Sequence, residues 1–179
     1  MRICIIVRVL WPGGVQRIAF AEVEGLKRFG HDVDLIFIRS TRKYIYNSNM
    51  NYKVLYNDEI NKRLLGRIFR RITLHYLPYR GDDATVDMDL IYRTEHTLKN
   101  KYDIIYYFDE FSAFFQRYSK NLYGNKTVVL IHEVAQFRGS RLSKFVQKRA
   151  LKYADVVLTN SKENWELLIM GGAKNAYEV

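Results

Sequence analysis

Gly13 and Gly14 sit in the stretch WPGGVQR, between an apolar run that ends at Leu10 and a helical pattern that opens at Val15. Residues without a Cβ at a strand-to-helix bend let the backbone approach a bulky ligand, and the free N–H groups of a helix start attract negative charge. The same pair after Pro12 also suits a plain tight turn, so these residues alone leave both readings open. The G-x-G-x-x-G spacing of dinucleotide binders is absent. The second apolar run ends in Arg39 and Ser40, where such a binder offers a carboxylate to the ribose, so a nicotinamide cofactor is disfavoured.

Further along, His132 directly follows the apolar run 127–131 in VVLIHEV, with Glu133 beside it. An imidazole there is either satisfied by backbone at a strand end or turned to a ligand. Asp109 and Glu110 close the run 103–108, at the strand end where open α/β sheets bind ligands, inside the mostly core-like aromatic stretch YYFDEFSAFF. His31, His75, His96 and His132 show no ligand spacing with one another or with carboxylates, which predicts no bound metal.

The elements that must carry these groups follow from periodicity. Residues 2–10 are a β-branched run typical of a buried strand, and 15–29 place Val15, Ile18, Ala19, Val23 and Leu26 on one helical face. Gly30 stops that helix, and 33–38 is the next strand, giving a βαβ unit with parallel strands. Residues 40–61 read as a loop with a strand at 52–56. Helices are expected at 62–73, 83–100, 110–122 and 141–153, and strands at 103–108, 127–131 and 155–158. Asn160 and Glu163 resemble a capping box for a last helix that closes at Gly171 and Gly172, after which KNAYEV turns extended. The fold class is α/β: Rossmann-like, with a mostly parallel sheet and helices on both faces.

The totals agree with one domain over residues 1–179, for 48% of the chain is apolar and 27% charged. The net charge of +10 predicts an anionic partner: phosphates, nucleic acid or an acidic membrane leaflet. One cysteine, Cys4, fits a core position and a reducing, cytoplasmic setting, and no run is long enough to span a bilayer.

Three stretches taken together, PGGVQRIAFAEVEGLKRFGHDVDLI, VVLIHEV and ADVVLTNSKENWELLIMGGAKNAYEV, resemble the amino-terminal domain of family 4 glycosyltransferases, which are retaining enzymes of the GT-B architecture. The likeness is strongest over 1–38 and 127–179 and weak over 40–100. It implies two Rossmann-like domains facing across a cleft, the first binding mainly the acceptor and the second the nucleotide-sugar donor. This chain resembles the first, without the carboxy-terminal donor domain, and alone is expected to be inactive. By resemblance, Gly13 and Gly14 match a glycine loop that contacts donor diphosphate or acceptor, and Arg17 adds a cation for a phosphate. His132 matches a catalytic histidine near the reacting sugar carbon, Glu133 an acidic neighbour, and Ser161 a structural serine. Asp109 and Glu110 are expected to face the acceptor. No cofactor or metal is implied beyond the donor substrate.

Two alternatives remain beside transfer to a glycan or lipid acceptor. One is a non-catalytic basic module binding nucleic acid, which +10 and 14 tyrosines favour but which lacks any RNA-binding signature and is the less expected partner. The other is a stand-alone sugar-phosphate binder that partners a separate donor subunit.

In 62–73 the apolar residues Leu64, Leu65, Ile68, Phe69 and Ile72 oppose the cations Lys62, Arg63, Arg67, Arg70 and Arg71, with no acid between them. An interfacial helix has that polarity, so peripheral binding to an anionic membrane is expected. Sedimentation with phosphatidylglycerol vesicles at low salt should carry the protein down, and changing Arg67, Arg70 and Arg71 to Glu should release it. No binding, or binding indifferent to those changes, removes the membrane assignment.

Overall fold

The apolar run at the start of the chain forms strand β1 (Arg2–Leu10), and its side chains divide between two buried clusters. Ile3, Ile5 and Val7 pack with Ala19, Phe20 and Val23 of helix α1 (Gly14–Arg28). Cys4 and Ile6 point the other way, into the cluster that holds Leu168 of helix α2 (Lys162–Met170). A strand covered on both faces gains from apolar residues at every position, which is why this run does not alternate with polar ones.

The computed structural model describes residues 1–10, 13–40, 50–57, 97–98, 102–109, 112, 125–132, 147–148 and 150–179. Around β1 lie β2 (Asp32–Ser40), β3 (Tyr52–Asn57), β4 (Ile104–Tyr107), β5 (Lys126–Ile131), β6 (Val156–Thr159) and β7 (Ala176–Glu178). They form one 7-stranded sheet in the order β3-β2-β1-β4-β5-β6-β7. Every pairing is parallel. The chain builds outward from β1 to β2 and β3, then returns to add β4 on the other side of β1. Such a reversal of strand order is where open α/β sheets take ligands, beyond the carboxyl ends of the strands.

The expected Rossmann-like α/β class holds, with the strand boundaries shifted by a residue or two. Both described helices end in the same way. Gly30 (φ 81) and Gly172 (φ 87) take the left-handed conformation just past the helix, and the amides of His31 and Ala173 bond back to the carbonyls of Leu26 and Leu168.

Two local expectations need correction. Ile18 does not lie on the buried face of α1 but is 50% exposed, while Phe20 and Gln16 are buried. Phe20 lies about 200° around the helix from Ile18, and its ring packs 5.9 Å from both Phe37 and Tyr52. The cap of α2 is Ser161 rather than Asn160; the Ser161 Oγ accepts from the Asn164 amide at 3.2 Å. The helix expected at 62–73 lies outside the described residues, and of 110–122 only Ser112 is described. Of 83–100 only 97–98 is described, and of 141–153 only 147–148 and 150–153; these pieces are helical.

Phe37 is fully buried and meets both Phe20 and Tyr52, its ring 5.6 Å from the tyrosine's. Phe37→Ala should cost about 3–5 kcal/mol in urea unfolding, whereas Ile18→Ala should stay within about 0.5 kcal/mol. Equal losses would contradict this assignment of the helix face.

Candidate functional site

Where β1 gives way to α1, Gly13 is the N-cap with φ −164 and ψ 175, an extended conformation open to any residue. A Cβ placed on Gly14 would meet nothing within 4 Å. Neither glycine takes a positive φ, and what Gly14 leaves is open space. Gly13 supplies no side-chain cap, and the first turn of α1 holds no acidic residue. The first helical bond runs from the Arg17 amide to the Gly13 carbonyl at 3.4 Å. The amides of Gly14, Val15 and Gln16 accordingly have no acceptor within the helix, at the end where its dipole is positive. Gln16 is buried and donates from Nε2 to the Val9 carbonyl at 2.8 Å, tying the helix start to the end of β1. Arg17 lies exposed on the same turn.

Next in the sheet, β4 runs out into Asp109. Its Oδ1 accepts from the Ser112 amide at 2.6 Å, and Ser112 Oγ donates to the Asp109 carbonyl at 2.8 Å. The Arg8 amide also donates to this carboxylate. Burial pushes the Asp109 carboxyl above the usual range, against the opposing pull of the Arg8 charge, the two amides and His132. With its oxygens engaged by backbone, Asp109 ties the exit of β4 to that of β1.

His132 follows β5. Its Nε2 lies 3.0 Å from the Phe108 carbonyl, and its ring is 5.8 Å from the Phe108 ring at 54°. A carbonyl oxygen only accepts, so Nε2 carries a hydrogen, and whenever the ring is neutral Nδ1 is its acceptor. From α2, Asn164 Nδ2 donates to the His132 carbonyl at 3.0 Å.

Since β4 lies between β1 and β5, the three exits line one edge, and β1 stands two strand spacings, about 10 Å, from β5. Phe108, which carries the imidazole, belongs to the same buried cluster as α1. The helix start and His132 thus share one side of the sheet at its carboxyl edge. Such an edge can hold an anion at the helix start and present an imidazole nearby. Glu110, Glu133, Arg63, Arg67, Arg70 and Arg71 lie outside the described residues. A cavity of about 650 Å³ lined by Lys148, Leu151, Lys152, Leu167, Ala173 and Lys174 lies at the amino ends of β6 and β7, the opposite edge of the sheet. Among the described residues no three of His, Cys, Asp and Glu are grouped to hold a metal ion.

Sequence reasoning missed Arg8, Gln16 and Asn164. Arg8 had a signal, as a cation inside an otherwise apolar strand that adjoins a ligand edge. Gln16 and Asn164 had none, because each acts through a backbone carbonyl brought to it only by the fold.

Residues 12–169 match the family model for Glycosyltransferase Family 4. No curated protein sequence matches the chain significantly. Among solved structures, HepE from Anabaena in complex with UDP and glucose aligns with TM-score 0.66 and 14% identity, over 100% of this chain and 44% of its own. Sucrose-phosphate synthase from Thermosynechococcus elongatus aligns with TM-score 0.66 and 15% identity, over 99% and 47%. The lipopolysaccharide outer core galactosyltransferase WaaB in its apo form aligns with TM-score 0.65 and 15% identity, over 99% and 44%. The chain spans less than half the length of each, and at such identities the likeness is one of fold.

Because folding raises the Asp109 pKa, the folded chain binds that proton more tightly than the unfolded chain. The group's contribution to stability is fully present below about pH 4, the unfolded value, and is lost as pH rises through the higher folded value. Urea unfolding across that range should show the decline, and Asp109→Asn should flatten it. An unchanged pH slope in the variant would show that this carboxyl is not the source.

Proposed function

The chain belongs to Glycosyltransferase Family 4, and from that premise we propose that it forms the acceptor-side domain of a retaining enzyme, which moves a sugar from a nucleotide-sugar donor to a glycan or lipid-linked acceptor. The observation that carries this reading is the shared edge: an uncapped helix start beside open space at Gly14, and His132 about two strands away on the same side of the sheet. HepE in complex with UDP-glucose and WaaB as a lipopolysaccharide galactosyltransferase lend support to a nucleotide-sugar donor and a glycan acceptor.

In such a transfer the bond from the sugar carbon to the diphosphate oxygen breaks, the oxygen gains negative charge and the sugar takes on oxocarbenium character. The amides of Gly14, Val15 and Gln16 are fixed donors toward anionic charge, and Arg17 adds a cation one turn away. Preset donors need no reorganisation as the charge develops, so they favour the transition state over bound substrate. His132, with Nε2 held by Phe108, offers Nδ1 to a sugar hydroxyl and orients the ring that must lose its leaving group. No metal is required by this scheme, since helix amides and side-chain cations offset the phosphate charge. The basic set Arg63, Arg67, Arg70 and Arg71 favours work at an anionic, cytoplasmic membrane face, where a lipid-linked acceptor resides.

In the enzyme that includes the donor domain, His132→Ala should lower turnover about 100-fold while leaving the thermal midpoint nearly unchanged. Gly14→Val enters open space, so it should leave the fold intact and weaken nucleotide-sugar binding. Unaltered turnover and binding in both variants would reject the assignment. A preference for oligonucleotides over nucleotide sugars would favour the non-catalytic alternative.

A further inference from the structure

His132 is gripped from two sides by groups of the protein itself. Its ring donates to the Phe108 carbonyl just past β4, and its own carbonyl accepts from Asn164 Nδ2 on the first turn of α2. Each grip is anchored in turn. The Phe108 amide donates to the Ile6 carbonyl of β1 at 2.9 Å, and the Asn164 amide donates to the Ser161 cap. One hydrogen-bonded path therefore runs from the start of α2, through His132, to β1.

The far side of α2 is fixed as well. Trp165 donates from Nε1 to the Ala176 carbonyl of β7 at 2.9 Å, and Leu168 is buried in the core beneath. The helix thus packs against β6 and β7, and the Asn164 side chain, through Nδ2, links it to the imidazole-bearing residue. A backbone carbonyl at a strand end can rotate unless a donor holds it, and its rotation turns the residue that bears it.

We propose that Asn164 is a positioning residue for His132, which transmits the seat of α2 to the imidazole and keeps Nε2 on the Phe108 carbonyl. The coupling stands on the geometry alone; only the identity of the group that Nδ1 meets rests on the glycosyl-transfer reading. The role demands an N–H at that position. Asp has the same length but sets a carboxylate against a carbonyl, whereas Gln keeps the donor on a longer arm.

Long-range ¹H–¹⁵N spectra of the histidine rings in the 179-residue chain test this directly. In the wild type the His132 Nε2 should give the protonated signal and Nδ1 the unprotonated one. Asn164→Asp should mix the two tautomers, and Asn164→Gln should restore the wild-type pattern in part. Should Asn164→Asp fail to fold, Asn164→Ser, read in the same way, replaces it and should also mix the tautomers. With the donor domain present, Asn164→Asp should lower kcat about 10-fold with little change in donor KM. His132 ring signals identical in the wild type and the folded variants would overturn the proposal. Should a nucleotide sugar leave the wild-type His132 ring unmoved while Asn164→Asp shifts it, the coupling is upheld and the glycosyl-transfer reading fails.

Discussion

The pairing of β1 with β4 is the constraint from which the site follows. It aligns Ile3 with Ile104 through Ile6 with Tyr107, joining segments that lie about a hundred residues apart in the chain. One more ladder bond, from the Phe108 amide to the Ile6 carbonyl, carries the pairing to the end of β4. This register sets Arg8 beside Asp109, where the aspartate carboxylate accepts from the Arg8 amide and feels its charge. It also fixes the Phe108 carbonyl, and through that carbonyl the ring of His132. A slip of one residue would move every side chain of β4 to the opposite face and dissolve both arrangements.

What prevents the slip is burial on both sides. Ile105 and Tyr107 enter one cluster, while Tyr106 and Phe108 enter the other, so each residue of β4 has a matched environment only in this register. The same two-sided packing lets the edge carry polar groups. Asp109, Gln16 and Asn164 each act on backbone at strand or helix ends, where the ladder leaves donors and acceptors unpaired. The candidate site is thus an outcome of sheet termini being closed with side chains, except at the start of α1, where the N-cap Gly13 has no side chain to close the end.

Much of the fold was legible because its signals are local. The apolar runs of β1, β2 and β5 announce buried strands, and Gly30 and Gly172 stand where each helix must turn left-handed to stop. Local pattern failed where a tertiary partner decides. Ile18 and Phe20 are both apolar and only the rings of Phe37 and Tyr52 choose between them, while Asn160 and Ser161 both suit a cap and only Ser161 reaches the Asn164 amide. At the candidate site, the places of Gly13, Gly14 and His132 at strand ends were legible from residue type and spacing. The use of the Asp109 carboxylate was not, because the amide it accepts from is supplied by β1. The direction of the imidazole was equally hidden, since no residue pattern encodes which carbonyl lies beneath it.

The central claim is that the carboxyl ends of β1, β4 and β5 form the ligand edge, and amide and imidazole shifts during titration with a uridine diphosphate sugar measure it most directly. The account predicts that the signals of Gly13, Gly14, Val15 and the His132 ring move together and saturate at one concentration. Movement confined to Lys148, Lys152 and Lys174 at the opposite edge, or no movement at the glycine bend while a ligand binds elsewhere, would contradict it.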